Sequence, residues 1–282
     1  SHELRTPLNS IIGFAELLLA HFSLGQSVVT PKSTQTASIS PSQGTPGTGG
    51  VDYSKTELPK FSSYSEFKKH FASLSTEQKI GLWGFGKARK ETRYIVFHDG
   101  GGYALKTLIW DWAARSQKLD YLPECQSKPE LSICQSRRVS SHYHIGCDGT
   151  LTALIPDHIT AFHAGCNPSN PSCYFKSVNS KSIGIDFRNC KKSGGSPYTA
   201  EQHAAGKQLM QTLSTKYNLP LDDDHVVAHF EVGMHGDPSK GFNWAAVGLT
   251  DHRTNGYCCR HPTEQNCARY VSKAGGSSWS CA

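Results

Sequence analysis

Residues 139–155 read VSSHYHIGCDGTLTALI. Two β-rich runs, Val139 to Ile145 and Leu151 to Ile155, flank the turn chemistry of Cys147-Asp148-Gly149, so this stretch predicts a β-hairpin. Working outward, Tyr94 to Phe97, Ser182 to Phe187 and Val226 to Phe230 supply further short strands. Helical spacing occurs between them. Phe67, Phe71 and Leu74 mark a helix over Tyr64 to Leu74, and Leu105, Leu108, Ile109 and Trp112 mark another over Tyr103 to Ala114. Thr199 to Tyr217 opens with Thr199, Glu201 and Gln202 in a capping-box arrangement, carries Leu209, Met210 and Leu213, and stops before Asn218 and Pro220. Strands alternating with helices, with a hairpin among them, predict an α/β domain whose central sheet is mixed and flanked by helices.

The 282 residues suffice for one large domain or two modest ones. With 37% hydrophobic, 18% charged and 10% aromatic residues, the chain is too aromatic and too weakly charged for global disorder. The excess of 29 basic over 23 acidic side chains gives +6, which suits an anionic polymer but lacks the clustered Lys and Arg that a phosphate backbone requires. Nucleic acid is not expected as a partner. Ile11 to Ala20 is apolar but interrupted by Glu16 and shorter than the ~20 residues of a bilayer span, so no transmembrane segment is expected. Residue 1 is Ser rather than Met, which fits either a removed signal peptide or a trimmed chain. Gln26 to Gly50, QSVVTPKSTQTASISPSQGTPGTGG, reads as a flexible linker. The expected organisation is a short helical fragment over 1–20, a linker over 21–52, the α/β domain over 53–256 and a Cys-rich extension over 257–282.

All ten cysteines lie between Cys125 and Cys281, and none forms a C-x-x-C pair. That pattern favours disulfides over zinc ligation, and therefore an oxidising, extracellular setting. Cys166 and Cys173 flank a short loop that a bridge between them would close, while Cys258, Cys259, Cys267 and Cys281 could staple the tail. Spacing alone does not give the connectivity.

At the amino terminus, SHELRTPLNSIIGFAELL resembles the phospho-acceptor helix of sensor histidine kinases, with His2 at the phosphorylated position. The resemblance covers Ser1 to Leu18 only. A working kinase also needs an ATP domain with Gly-rich boxes, and Gly100-Gly101-Gly102 lacks the spacing that cradles phosphate. The motif is cytosolic and so runs against the disulfide reading.

Three potential metal ligands stand at strand ends. His98 ends YIVF before a Gly-rich turn, His229 ends VVA, and Asp237 follows just ahead of Pro238. A catalytic zinc site takes three such N or O ligands and keeps a fourth position for water. Taken singly, each imidazole reads equally as a core or surface residue, and Asp237 as a turn residue.

The blocks SSHYHIGCDGTLTALIP, AFHAG, NSKSIGIDF and VVAHFEVGMHGDPSKGFNW, in that order, resemble zinc-dependent N-acetylmuramoyl-L-alanine amidases of the peptidoglycan-recognition type. The resemblance spans about Tyr94 to Trp244. It implies Zn2+ bound by His98, His229 and Asp237, and hydrolysis of the amide between N-acetylmuramic acid and L-alanine. Peptidoglycan is the implied partner, and a secreted monomer the expected form. Asp186 stands where relatives carry a catalytic Glu; a strand carboxylate satisfied by its neighbours is the alternative. His235 stands where relatives place a Lys that stabilises the oxyanion, a role that would make the donor's charge pH-dependent. Ser141 occupies the position of an assisting Tyr, and His163 is expected to line the cleft and touch substrate, or else to be a structural imidazole. His142 and His144 alternate on one strand and face one side, with His142 expected to be structural. Asp222-Asp223-Asp224 reads as a solvated turn. The competing functions are a peptidoglycan-binding module that does not cut, and a signalling fragment built on His2.

Overall fold

The computed structural model describes residues 58–263, except 85, 132–133, 136–137, 166–176, 191–196 and 233–235. The helical fragment, the linker, the proposed Cys166–Cys173 bridge and His235 therefore lie outside the described residues. By its internal contacts the chain divides into Ser1–Asp52 and Tyr53–Ala282, and every described residue belongs to the second unit.

Five strands form one sheet: β1 (Tyr94–Asp99), β2 (Tyr143–Ile145), β3 (Leu151–Ala153), β4 (Ser182–Phe187) and β5 (Val226–Ala228). The order is β3-β2-β4-β1-β5. β2 and β3 pair antiparallel as the hairpin, while β2–β4, β4–β1 and β1–β5 are parallel, so the sheet is mixed. The strand expected over Val226 to Phe230 is shorter than its sequence pattern: it ends at Ala228, and His229 opens a helical turn, His229–Val232.

Strand periodicity assigns the two faces. Ile95 and Phe97 of β1, Ile183, Ile185 and Phe187 of β4, and Tyr143 and Ile145 of β2 all point to one side, where they meet Leu209, Met210 and Leu213. These last belong to the long helix Ala200–Tyr217, whose N-terminus carries the expected capping box: Thr199 accepts from the Gln202 N–H, and the Gln202 side chain accepts from the Thr199 N–H. Phe242 and Trp244 complete this side, with Phe97 and Trp244 stacked at 5.8 Å. The opposite face carries Val96 and Val227 together with the polar positions discussed below.

Before the sheet, two capped helices, Tyr64–Ser73 and Thr76–Gly81, lead into the chain, and Leu105–Arg115 follows β1. Their apolar spacing produces an aromatic layer: Phe67 against Phe71, Phe71 against Trp110, and Trp83 edge-on to Trp112 at 5.3 Å. The Trp83 indole N–H donates to the Ile109 carbonyl, so its one polar atom is satisfied in the core.

Disulfides join Cys125 to Cys134 and Cys147 to Cys190, and Cys259 is also oxidised. The second ties the hairpin turn to the loop after β4 across 43 residues. Cross-linking a loop of that size restricts the unfolded chain by up to about 4 kcal/mol in the chain-entropy account. Replacing both Cys147 and Cys190 with Ser should lower the urea midpoint correspondingly without changing the far-UV spectrum, and an unchanged midpoint would show that the bridge adds no stability.

Candidate metal centre

On the face opposite the long helix, the strand register places one polar row across the sheet: His144 of β2 pairs with Asp186 of β4, and Asp186 pairs with His98 of β1. His229 follows directly after β5, beside the end of β1. Because β1, β4 and β5 run parallel, this row and its neighbour lie toward their carboxyl ends, where ligands of open α/β sheets bind.

Three of these groups converge. His98, His229 and Asp237 each offer one ligand atom, and these atoms lie within 4.8 Å of one another. Nδ1 of His229 is 3.0 and 3.1 Å from the two Asp237 oxygens, Nδ1 of His98 is 3.6 Å from Oδ2, and the two rings are 4.3 Å apart. Asp237 is held in place from behind, since the Asp99 N–H donates to its Oδ2 and its own carbonyl accepts from the Phe230 N–H. Burial would raise its pKa, but hydrogen bonds from His229 and His98 outweigh that and hold the carboxyl well below the usual range. Two imidazole nitrogens and one ionised carboxylate are a donor set that fits zinc.

Behind His98 lies a directed chain of hydrogen bonds. His98 Nε2 meets His163 Nδ1 at 2.9 Å, His163 Nε2 meets the Ser182 hydroxyl at 3.1 Å, and that hydroxyl donates to the Val178 carbonyl at 2.7 Å. The carbonyl can only accept. The chain orients the inner protons: Ser182 accepts from His163 Nε2–H and His163 Nδ1 accepts from His98 Nε2–H, so His98 Nε2 is engaged behind the site and Nδ1 is the nitrogen that faces Asp237. Burial, then the neighbouring His98, His142 and His229, push the His163 pKa well down, consistent with a neutral ring. The ring fits because Gly184 lies under it; a Cβ there would come within 2.6 Å of His163 Cγ.

The remaining expected site residues separate by depth. Asp186 is 5% exposed and lines the cleft, and its Oδ2 has no hydrogen-bond partner among the described residues. Burial, partly offset by a hydrogen bond from Ser141, and the charges of Asp237 and Asp99 push its pKa up to about 8. Ser141 itself is wholly buried beside Asp186, and its hydroxyl also lies 3.4 Å from the Tyr143 carbonyl. His163 borders the cleft, but both its nitrogens are occupied by His98 and Ser182. His142 is held by the Gly184 N–H and the Ile159 carbonyl, and burial and Arg89 lower its pKa to about 3. His144 is buried too, its pKa lowered to about 4 by burial and Arg188. The cleft occupies about 1150 Å³, with Tyr103, Trp112, Arg138 and Asn189 on its walls.

The model of the N-acetylmuramoyl-L-alanine amidase family matches residues 88–240, more than half of the chain. The chain belongs to this family. The match takes in His98, Asp186, His229 and Asp237, so the converging side chains all lie in the amidase region. A second model, the His Kinase A (phospho-acceptor) domain, matches residues 1–38. Among solved structures, a selenomethionine derivative of AmpD is 21% identical, aligned over 58% of this chain and 87% of its own, with a TM-score of 0.41. AmiD from E. coli, an N-acetylmuramyl-L-alanine amidase solved with anhydro-N-acetylmuramic acid-L-Ala-D-gamma-Glu-L-Lys, is 21% identical over 57% of both chains, with a TM-score of 0.38. Drosophila peptidoglycan recognition protein SD is 16% identical over 56% of this chain and 82% of its own, with a TM-score of 0.36. No curated protein matches the chain.

The raised pKa of Asp186 has a consequence for the amidase chain's stability. In the folded, metal-free chain it keeps its proton up to about pH 8, whereas an unfolded aspartate releases it near 3.8. The stability contributed by this proton is complete below the lower value and lost as pH rises through the upper one. Metal-free Asp186→Asn should therefore lose less of its urea midpoint than the parent chain between about pH 4 and pH 8. Parallel profiles would contradict the buried, protonated carboxyl.

Proposed function

We propose that this chain is a zinc-dependent N-acetylmuramoyl-L-alanine amidase that hydrolyses the amide between the lactyl group of N-acetylmuramic acid and L-alanine in peptidoglycan. The convergence of His98, His229 and Asp237 at the mouth of a large cleft carries this reading. When bound, zinc would polarise the scissile carbonyl and lower the pKa of its water toward ~7.

The chain's own groups divide the remaining work. His98 and His229 turn Nδ1 toward Asp237, and Asp237 supplies the single negative charge that would partly neutralise a divalent cation. His163 fixes the His98 tautomer through Nε2. Asp186 faces the cleft with one oxygen unpartnered and a pKa near the neutral range that general bases are tuned toward. As an ionised base it would take the proton of the attacking water, and as an acid it would return that proton to the departing alanine nitrogen. His235 is assigned to the oxyanion by its position two residues before Asp237.

Peptidoglycan is the proposed polymer, and the positive excess of the chain suits its anionic character. No helix among the described residues is long and apolar enough to cross a membrane. The disulfides support an extracellular site of action.

Replacing His98 or His229 with Ala should abolish stoichiometric zinc and slow amide hydrolysis by about 10³-fold or more, the several kcal/mol of barrier a metal supplies. Mass spectrometry of digested peptidoglycan checks the product: free stem peptides beginning with L-alanine should appear, and a chelator should suppress them. Binding to the wall without release of such peptides would instead establish a recognition module.

A further inference from the structure

We propose that the segment Asp251–Tyr257, beyond the residues that the family model matches, is a brace that fixes the spacing of two of the three metal ligands, with His252 and Arg253 as positioning residues for His229 and Asp237. The inference rests on the zinc reading above but concerns side chains outside the ligand set.

His252 and Glu231 form a fully buried pair, with Nδ1 at 2.7 Å from Oε2. The same carboxylate accepts the Ala228 N–H at 2.6 Å and, through Oε1, the Tyr257 N–H. Ala228 and Glu231 lie on either side of His229, so this carboxylate pins the start of the ligand's helical turn to the later segment. His252 is fixed in turn: Nε2 meets Asp223 Oδ1 at 3.1 Å, and its ring stacks on Trp244 at 4.1 Å. Gly256 permits the approach, since a Cβ there would lie 2.6 Å from Glu231 Oε1.

The next residue reaches the other ligand. Arg253 Nη2 donates to the Pro238 carbonyl, one residue past Asp237, while its guanidinium lies 5.0 Å over the Phe230 ring, one residue past His229. Two consecutive side chains thus hold the His229 turn and the Asp237 loop against one scaffold. Outer groups of this kind commonly set metal affinity by keeping ligands at a fixed separation.

The test uses the full chain and measures zinc affinity by competition with a chromophoric chelator, alongside the visible spectrum of the cobalt-substituted protein. His252→Leu and Arg253→Met should each weaken zinc binding by roughly 10- to 100-fold and alter the cobalt spectrum. His252→Asn, whose amide can still donate to Glu231, and Arg253→Lys should recover part of the loss. Circular dichroism and the urea midpoint of the metal-free variants establish that they fold, and if His252→Leu does not, Arg253→Met decides alone. Zinc affinity within twofold of the parent and an unchanged cobalt spectrum in a folded variant would overturn the brace. A parent chain that takes up no zinc would instead sink the ligand assignment, and the brace with it.

Discussion

Everything in the cleft depends on a carboxylate held between two imidazoles. Asp237 meets both His229 and His98 with its charge retained. Burying that charge is unfavourable unless donors surround it, and in the metal-free chain the two rings and the Asp99 N–H are those donors. A divalent cation would substitute for the shared protons. Ligand geometry and electrostatic satisfaction of the Asp237 carboxylate are therefore one arrangement.

The sheet makes this possible through its period of two. Odd positions of β1 and β4 feed Ile95, Phe97, Ile183, Ile185 and Phe187 into the apolar layer, and even positions put His98, Gly184 and Asp186 on the opposite face, where His98 and Asp186 line the cleft. A one-residue slip in register would exchange the two sets, burying imidazole and carboxylate beneath the long helix and exposing isoleucine. The apolar rows thus fix where the polar row falls. Gly184 shows the same economy, because the missing side chain is the space that His163 needs to reach His98.

Much of this was legible in sequence, and the gaps have physical causes. β-Branched runs announced β1, β4 and β5, and Thr199 with Gln202 announced the start of the long helix, since these signals depend only on neighbours along the chain. The strand expected over Val226 to Phe230 stops at Ala228, just before His229, because apolar residues flanking a His look alike in a strand or a short helical turn; the Ala228 N–H closes on Glu231 three residues on, and His252 and Tyr257 hold that carboxylate from beyond the turn. Asp222-Asp223-Asp224 reads as a solvated turn, yet Asp223 takes Thr250 and His252, and Asp224 takes Arg260 and His261. Their partners lie some thirty residues away, and no local pattern encodes a contact at that range.

The two carboxyls of the cleft are pushed in opposite directions by their surroundings. Asp237 has donors on both oxygens and stays ionised; Asp186 has one unpartnered oxygen, low solvent access and two neighbouring acids, and keeps its proton. Such a split is how one site separates an electrostatic role from a proton-transfer role. It also bears on the shorter side chain at 186. An aspartate sits one methylene closer to the sheet than a glutamate would, which deepens its burial and favours the protonated form. A cation at the neighbouring ligands acts in the other direction by favouring the ionised form. In the proposed amidase, metal occupancy and the readiness of Asp186 to accept a proton would therefore be coupled: Asp186 would gain its charge when a cation is bound and a polarised water is there to be deprotonated.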